Sequence, residues 1–151
     1  MARTYRLGAG RRFVNRVVLR LLAIGVGPAR TYVLITRGRQ TGREHRTPVT
    51  LVEDAGRRWL VAPYGEVGWV RNARAARAVT LARGRRAETL GIVELGAAES
   101  APVLRRYLRE VPITRPYFQV TADSPLEAIA AEASRHPVFE LHRAAPPAAP
   151  P

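Results

Sequence analysis

Residues 38–48 combine residue types that bind anions. The segment reads GRQTGREHRTP, with glycine at positions 38 and 42, a hydroxyl group at Thr41 and an arginine at positions 39, 43 and 46. Glycines let backbone N–H groups approach a ligand closely, and guanidinium groups bind phosphate or carboxylate through paired hydrogen bonds. The segment therefore indicates a phosphate site; the alternative is an ordinary basic hairpin turn.

The common nucleotide-binding loops do not account for this segment. It lacks the G-x-G-x-x-G order of a dinucleotide-binding fold, and a Walker A loop requires a lysine, which this chain does not contain. Binding of ATP or NAD through such loops is therefore not expected.

A second block follows at residues 59–72. It reads WLVAPYG from Trp59 and WVRN from Trp69, a strand followed by a glycine-containing loop and a helix start. Together the two blocks resemble the deazaflavin-dependent nitroreductase family, which has a G-R-x-[ST]-G-x-x-R-x-x-P segment after a strand and then a W-x-x-N helix start. The resemblance covers residues 31–86.

The resemblance implies an α+β fold, an antiparallel split β-barrel of the FMN-binding split-barrel type with flanking helices. It implies the deazaflavin coenzyme F420, whose phosphate and glutamate tail are acidic, with FMN as the alternative cofactor. The implied activity is transfer of hydride from reduced deazaflavin to a quinone, enone or nitro compound. The alternative is a non-catalytic carrier of a flavin, a tetrapyrrole or a fatty acid.

Carried over position by position, the resemblance implies a set of cofactor-binding residues. The phosphate end comprises Arg39, Gln40, Thr41 and Gly42, with Arg43 and Arg46 beside them. The strand next to the cofactor carries His45 and Pro48, and the ring system lies along Val61, Ala62, Pro63, Tyr64 and Gly65. Trp69 and Asn72 hold the helix that follows.

Three positions depart from the family pattern. Relatives often have lysine at the positions of Gln40 and Tyr64, and arginine at the position of His45. Arg43 and Arg46 are expected to replace the missing positive charge. Without that replacement, the affinity for deazaflavin would fall or the site would bind another ligand.

Tyr117 is the candidate catalytic residue. It lies with Tyr107 and Phe118 in the C-terminal half, where relatives place substrate-facing aromatic residues, and the segment 113–118 has no helical periodicity. A phenol there could donate a proton to the reduced substrate.

The composition limits the class of protein. A chain of 151 residues with 46% hydrophobic content can bury one core, and the absence of cysteine excludes disulfides and thiolate metal sites. The three histidines lack the spacing of a metal site, so no metal is expected. All 25 basic residues are arginine and the net charge is +13, which indicates an acidic partner. Nucleic acid is not expected, because the chain lacks a helix-turn-helix or an aromatic-interleaved basic stretch.

The elements that must position these residues follow from hydrophobic periodicity. Helices are predicted at residues 11–24, 69–78, 97–110 and 125–134, and strands at 31–36, 46–53, 57–62, 79–82, 88–95 and 138–142. The predicted organisation is an N-terminal amphipathic helix within residues 1–30, a cofactor-binding barrel over residues 31–143 and a disordered Ala/Pro tail at residues 144–151.

The N-terminal helix is the segment that bears on membrane contact. Its apolar residues are expected to form one face against the barrel: Phe13, Val14, Val17, Val18, Leu21 and Leu22. A basic stripe of Arg12, Arg16 and Arg20 is expected on the opposite side. The alternative is a helix that lies on anionic lipid or guards a cofactor groove. We therefore expect a cytoplasmic protein that acts on a small molecule, with peripheral contact at the inner face of the membrane as the alternative. The resemblance leaves monomer and homodimer open.

Overall fold

The structure, a computed structural model, describes residues 8–143. The helices are α1 (Ala9–Ala23), α2 (Gly68–Ala76), α3 (Ala97–Glu110) and α4 (Leu126–Ala131), and two 3₁₀ helices span Pro112–Tyr117 and Glu132–Ser134. The strands are β1 (Thr31–Arg37), β2 (Glu44–Asp54), β3 (Arg57–Val61), β4 (Ala78–Arg83), β5 (Arg86–Glu94) and β6 (Val138–Arg143). The predicted tail at residues 144–151 lies outside the described residues.

The six strands close into an antiparallel barrel in the order β1-β2-β3-β6-β5-β4. β1, β2 and β3 form a meander, and the β2–β3 hairpin turns at Ala55 and Gly56, which both have positive φ. The last strand, β6, lies between β3 and β5 and so joins the two halves of the sheet. The expected split-barrel architecture with flanking helices is confirmed.

Alternation along β3 shows why the barrel has two apolar layers. Leu60 and Ala62 belong to the interior core, whereas Trp59 and Val61 belong to an outer core. Successive strand residues point to opposite faces, so an uninterrupted apolar run is buried on both sides. The interior core also contains Trp69 from α2, and α3 and α4 cover the outer layer.

The side of α1 that faces the barrel differs from the sequence prediction. Leu22 is buried and Val18 is half-buried, but Phe13, Val14, Val17 and Leu21 are exposed, as is Ile24 after the helix. The helix has three stripes, because the apolar residues divide between a buried side and an exposed side next to the basic one. Periodicity detects an apolar stripe but does not fix which way the helix is rotated, so this prediction was wrong.

The end of α1 and the loop after it are fixed to the barrel. The Gly84 N–H donates to the Leu22 carbonyl at 2.8 Å. The Arg83 guanidinium donates hydrogen bonds to the carbonyls of Gly27, Pro28 and Thr31 at 2.6, 2.5 and 2.9 Å.

Within residues 8–143, no helix is long and apolar enough to cross a bilayer.

Three local predictions also need correction. The second helix stops at Ala76, because Arg77 adopts a left-handed φ of 56° and β4 begins at Ala78. The last helix has Pro125 rather than Ser124 at its N-cap, since the Ser124 hydroxyl accepts a hydrogen bond from the Thr121 N–H. The 113–118 segment is largely a 3₁₀ helix, whose three-residue turn lacks the periodicity that identifies an α-helix.

Candidate functional site

A groove on the outside of the barrel runs between α1, β2 and the loop after β3. It consists of two adjoining cavities of about 580 and 370 Å³ that share six lining residues: Arg11, Asn15, Thr47, Pro48, Tyr64 and Trp69. The larger cavity is lined by the β1–β2 hairpin and the start of α2, and the smaller one reaches the end of α3. The groove therefore has a basic half and an apolar half.

The basic half is built on a tight hairpin loop. The Gly38 N–H donates to the Arg43 carbonyl at 2.7 Å, and the Gly42 N–H donates to the Gly38 carbonyl at 2.8 Å. Gly42 has a φ of +72°, which glycine adopts without steric cost. A Cβ atom at Gly38 would lie 2.7 Å from the Thr41 hydroxyl and 3.1 Å from His45 Nε2, so this position has no room for a side chain.

Asn72 connects this loop to α2. Its side chain is buried, and its Oδ1 atom accepts hydrogen bonds from the Arg39 backbone N–H at 3.3 Å and from Arg39 Nη1 at 2.8 Å. Because Arg39 itself is exposed, this contact holds an otherwise mobile guanidinium at the cavity wall. Arg43 and Arg46 line the same cavity, so the hairpin contributes three arginines to its lining, with Arg39 as the third.

The apolar half has a different chemical character. Its walls are mostly aliphatic side chains from α1, β2, β3 and the segment after α3: Val14, Val18, Val49, Val61, Val111 and Ile113. Tyr107 adds a phenol whose pKa is raised, because burial outweighs the opposing effect of the Thr114 hydroxyl. The phenol therefore stays protonated at neutral pH.

Arg11 and Tyr64 meet at the boundary between the two halves. The Arg11 Nη2 atom donates a hydrogen bond to the Tyr64 hydroxyl at 2.6 Å, and the guanidinium carbon lies 5.3 Å from the centre of the Tyr64 ring. The Tyr117 ring contacts Tyr64 edge-on with a centroid distance of 4.9 Å. The three side chains bring together α1, the loop after β3 and the first 3₁₀ helix.

The structure brings most of the sequence-predicted site residues into the groove. The basic cavity is lined by Arg39, Gln40, Thr41, Arg43, His45, Arg46, Pro48, Tyr64, Trp69 and Asn72, and the apolar cavity adds Val61 and Pro63. Four candidates are not among the lining residues: Gly42, Ala62, Gly65 and Tyr117. Ala62 points into the barrel core instead, and Tyr117 reaches the groove through its contact with Tyr64.

Sequence reasoning gave a groove-guarding role of α1 only as an alternative and named none of the α1 residues that line the groove. Arg11 and Asn15 line both cavities, and Val14 and Val18 line the apolar one. The signal was present, since Arg11, Asn15, Val18 and Leu22 follow the i, i+4, i+7, i+11 spacing of one helix face. That stripe was overlooked because its first two members are polar.

Among residues 8–143, no group of three or more His, Asp and Glu side chains could hold a metal ion.

Replacing Gly38 with alanine should destabilise the hairpin loop. The added methyl group must displace the Thr41 hydroxyl and the His45 ring, so we expect the free energy of unfolding to fall by about 1–3 kcal/mol in denaturant titrations. Gly10→Ala is the matched control, because a Cβ atom in α1 meets nothing within 4 Å and alanine favours a helix. Equal stability of Gly38→Ala and the original protein would contradict the steric argument.

Comparison with known proteins supplies the family context. The sequence model of the F420H(2)-dependent quinone reductases matches residues 11–132. No curated protein sequence matches the chain significantly.

Solved structures show the same fold. A protein described as a domain-swapped dimer has a TM-score of 0.57 and 19% identity, and the match covers 88% of this chain and 96% of the other. An F420-H2 dependent reductase has a TM-score of 0.53 and 21% identity, with 76% and 95% coverage. The haem storage protein HutZ from Vibrio cholerae has a TM-score of 0.53 and 11% identity, with 78% and 83% coverage.

Proposed function

The chain belongs to the F420H2-dependent quinone reductase family and is a deazaflavin-dependent oxidoreductase, and we propose that it reduces a lipophilic acceptor in the apolar half of its groove. The acceptor class is a quinone first, then an enone or a nitro compound. The observation that carries this proposal is one groove with a basic half and an apolar half that meet at Arg11 and Tyr64. An anionic cofactor and an apolar acceptor would therefore lie next to each other.

The donor set of the basic half fits the acidic tail of F420. We infer that Arg39, Arg43, Arg46 and Thr41 bind its phosphate and carboxylate groups, with Asn72 orienting Arg39. Gln40 and Gly42 complete the loop. When bound, the reduced cofactor supplies a hydride, and the acceptor takes up a further proton. The protein then has to bind, orient and exclude water.

The departures from the family pattern are compatible with this assignment. Gln40, His45 and Tyr64 remove positive charge that relatives often have, but Arg43 and Arg46 line the cavity and Arg11 approaches from α1. Three guanidinium groups thus stand near the three altered positions. This arrangement supports F420 over a neutral ligand.

We assign the ring-binding wall to the end of β3 and the start of α2. Val61, Pro63, Tyr64 and Trp69 line the groove, and Pro48 faces them from β2. Ala62 and Gly65 contribute backbone to the same segment. Flat apolar and aromatic walls match a planar ring system.

The acceptor site is inferred from the apolar half. Its aliphatic lining would exclude water from the acceptor, while the Tyr107 hydroxyl offers the donor that orients a carbonyl or nitro group. The Thr114 hydroxyl donates instead to the Val111 carbonyl at 3.0 Å. The carrier alternative is set aside, because the family assignment makes the chain an oxidoreductase.

Binding of oxidised F420, followed by intrinsic tryptophan fluorescence with FMN in parallel, tests the cofactor site. We expect F420 to bind more tightly than FMN, and Arg39→Gln to raise the Kd for F420 at least about tenfold, a loss of about 1.4 kcal/mol. Arg85→Gln is the control, since Arg85 is exposed on the β4–β5 turn away from the groove. A Kd unchanged by Arg39→Gln, or a preference for FMN, would exclude this site.

We assign the proton donor to Tyr117, whose ring contacts that of Tyr64, a residue that lines both halves of the groove. Tyr117→Phe keeps the ring and removes the hydroxyl, so kcat for quinone reduction should fall by about 10²-fold with little change in F420 affinity. Tyr32→Phe is the control, because Tyr32 lines a different surface cavity. A loss of kcat in Tyr64→Phe but not in Tyr117→Phe would transfer the role to Tyr64.

We infer peripheral membrane contact through α1. Phe13 and Ile24 are 66% and 73% exposed, Val14, Val17 and Leu21 are also exposed, and the basic stripe of Arg12, Arg16 and Arg20 lies alongside. A helix with neighbouring apolar and arginine faces suits the interface of an anionic bilayer. Val14 and the exposed Ile113 also line the apolar half, so its mouth would open toward the lipid.

Flotation with vesicles tests this contact. We expect binding to phosphatidylglycerol vesicles but not to phosphatidylcholine vesicles, and loss of binding when Phe13 and Ile24 are changed to glutamate or when Arg12, Arg16 and Arg20 are. Val93→Glu, an exposed apolar position on β5, is the control. If no vesicle binds and the Phe13 and Ile24 changes instead dissociate a homodimer, the apolar face is covered by a second copy.

A further inference from the structure

A buried polar cluster lies behind the groove wall. Glu132 has 0% and His136 5% relative exposure, and neither side chain lines the groove. A fully buried carboxylate is costly unless its oxygen atoms are well satisfied. The position of the cluster, next to the segments that carry Tyr64 and Tyr117, indicates its role.

Glu132 is satisfied from two sides. Its Oε1 atom accepts a hydrogen bond from the Gln119 backbone N–H at 2.5 Å, and its Oε2 atom accepts one from Arg135 Nε at 3.0 Å. The first contact crosses from the second 3₁₀ helix to the segment directly after Tyr117 and Phe118. Glu132 therefore ties down the exit of the 3₁₀ helix that carries Tyr117.

His136 reaches the other wall segment. Its Nδ1 atom lies 3.3 Å from the Ala62 carbonyl oxygen, and its ring stacks on Phe118 with a centroid distance of 4.0 Å. Its Nε2 atom is 3.7 Å from Glu132 Oε2. One imidazole thus touches the chain just before Tyr64 and the residue just after Tyr117.

The backbone between these groups is closely packed. The Ala62 N–H donates to the Pro137 carbonyl at 2.9 Å, and a Cβ atom at Gly65 would lie 3.3 Å from the Arg135 carbonyl. Residues 62–65 and 117–119 are therefore both held against residues 132–137. The two segments carry Tyr64 and Tyr117, whose rings meet at the groove.

We propose that Glu132 and His136 are positioning residues that hold Tyr64 and Tyr117 in contact at the wall between cofactor and acceptor. We call the Glu132–His136 pair the clamp. It sets the distance between residues 62–65 and residues 117–119, two backbone segments that no strand pairing joins directly. The catalytic consequence rests on the proposed function, since it assumes that the tyrosines face the reacting groups. Hydride transfer is sensitive to such placement, because displacements of about 1 Å lower rates strongly.

The protonation of His136 gives a readout that needs no cofactor. Burial lowers the pKa of His136 below its usual value of about 6.5, against the opposing effects of Glu132 and of backbone groups of Ala62, Tyr117 and Pro63. The unfolded chain therefore binds the proton more readily, so stability is full above about pH 6.5 and falls as the pH drops below it. Glu132 and Arg135 are the charged groups of the cluster.

Two substitutions separate the hydrogen bond of His136 from its stacking. His136→Phe keeps a flat ring against Phe118 but loses the donor to Ala62, whereas His136→Asn keeps a polar group near the Nδ1 position. Ile129→Val, at a fully buried position of the preceding helix α4, is the control for a general loss of packing. If His136→Phe does not fold, Glu132→Gln is used, because its amide oxygen still accepts from Gln119 while the charge is lost.

The test combines hydrogen exchange with kinetics. In His136→Phe we expect faster amide exchange at residues 62–65 and 117–119, and loss of the part of the decrease in stability that sets in just below about pH 6.5. We also expect a kcat about tenfold lower, with the KM for F420H2 changed less than about threefold. His136→Asn should restore most of kcat. Wild-type exchange and wild-type kcat in folded His136→Phe, or in folded Glu132→Gln where that variant is used, would overturn the clamp.

The clamp and the proposed function can fail separately. If the original protein does not bind F420, the proposed function fails, while hydrogen exchange and the pH dependence of unfolding still decide whether the clamp exists. If exchange changes but kcat does not, the clamp is structural only and the positioning role is wrong.

Discussion

Closure of the barrel is the constraint on which the rest of the structure depends. β3 pairs with β2 on one side and with the last strand on the other, so its residues are fixed in register from both edges. Strand alternation then sends Leu60 and Ala62 inward and Val61 outward to the groove. The loop that follows delivers Tyr64 to the junction of the two cavities. A register slip of one residue would exchange core and groove.

The charge distribution follows from this geometry. Among the hairpin arginines, Arg46 pairs with Glu44 at 3.5 Å, whereas Arg39 is held by the neutral side chain of Asn72. Several arginines elsewhere pair with glutamates, as Arg57 does with Glu140 at 2.7 Å. Exposed ion pairs contribute little to stability. The arginines around the basic cavity give it a positive lining, and the net charge of +13 has the same sign.

α1 connects three properties that are usually separate. Its buried side supplies Arg11 and Asn15 to the groove, its exposed side is apolar, and its remaining side is basic. Its C-terminal end is held by a hydrogen bond from the Gly84 N–H to the Leu22 carbonyl, while Arg11 near its N-terminal end contacts Tyr64. A surface that binds α1 would consequently act on a wall of the groove.

The sequence by itself determined the strand order along the chain and predicted an anion-binding loop, because period-two alternation, turn glycines and clustered arginines are local signals. Two motif blocks also identified the cofactor family. Only the tertiary structure decided the rotation of α1, the inward side of Ala62 and the Glu132–His136 cluster. Each of these depends on which distant element packs against the residue, and residues such as Arg11 and Tyr64, 53 positions apart, meet only after the barrel has closed.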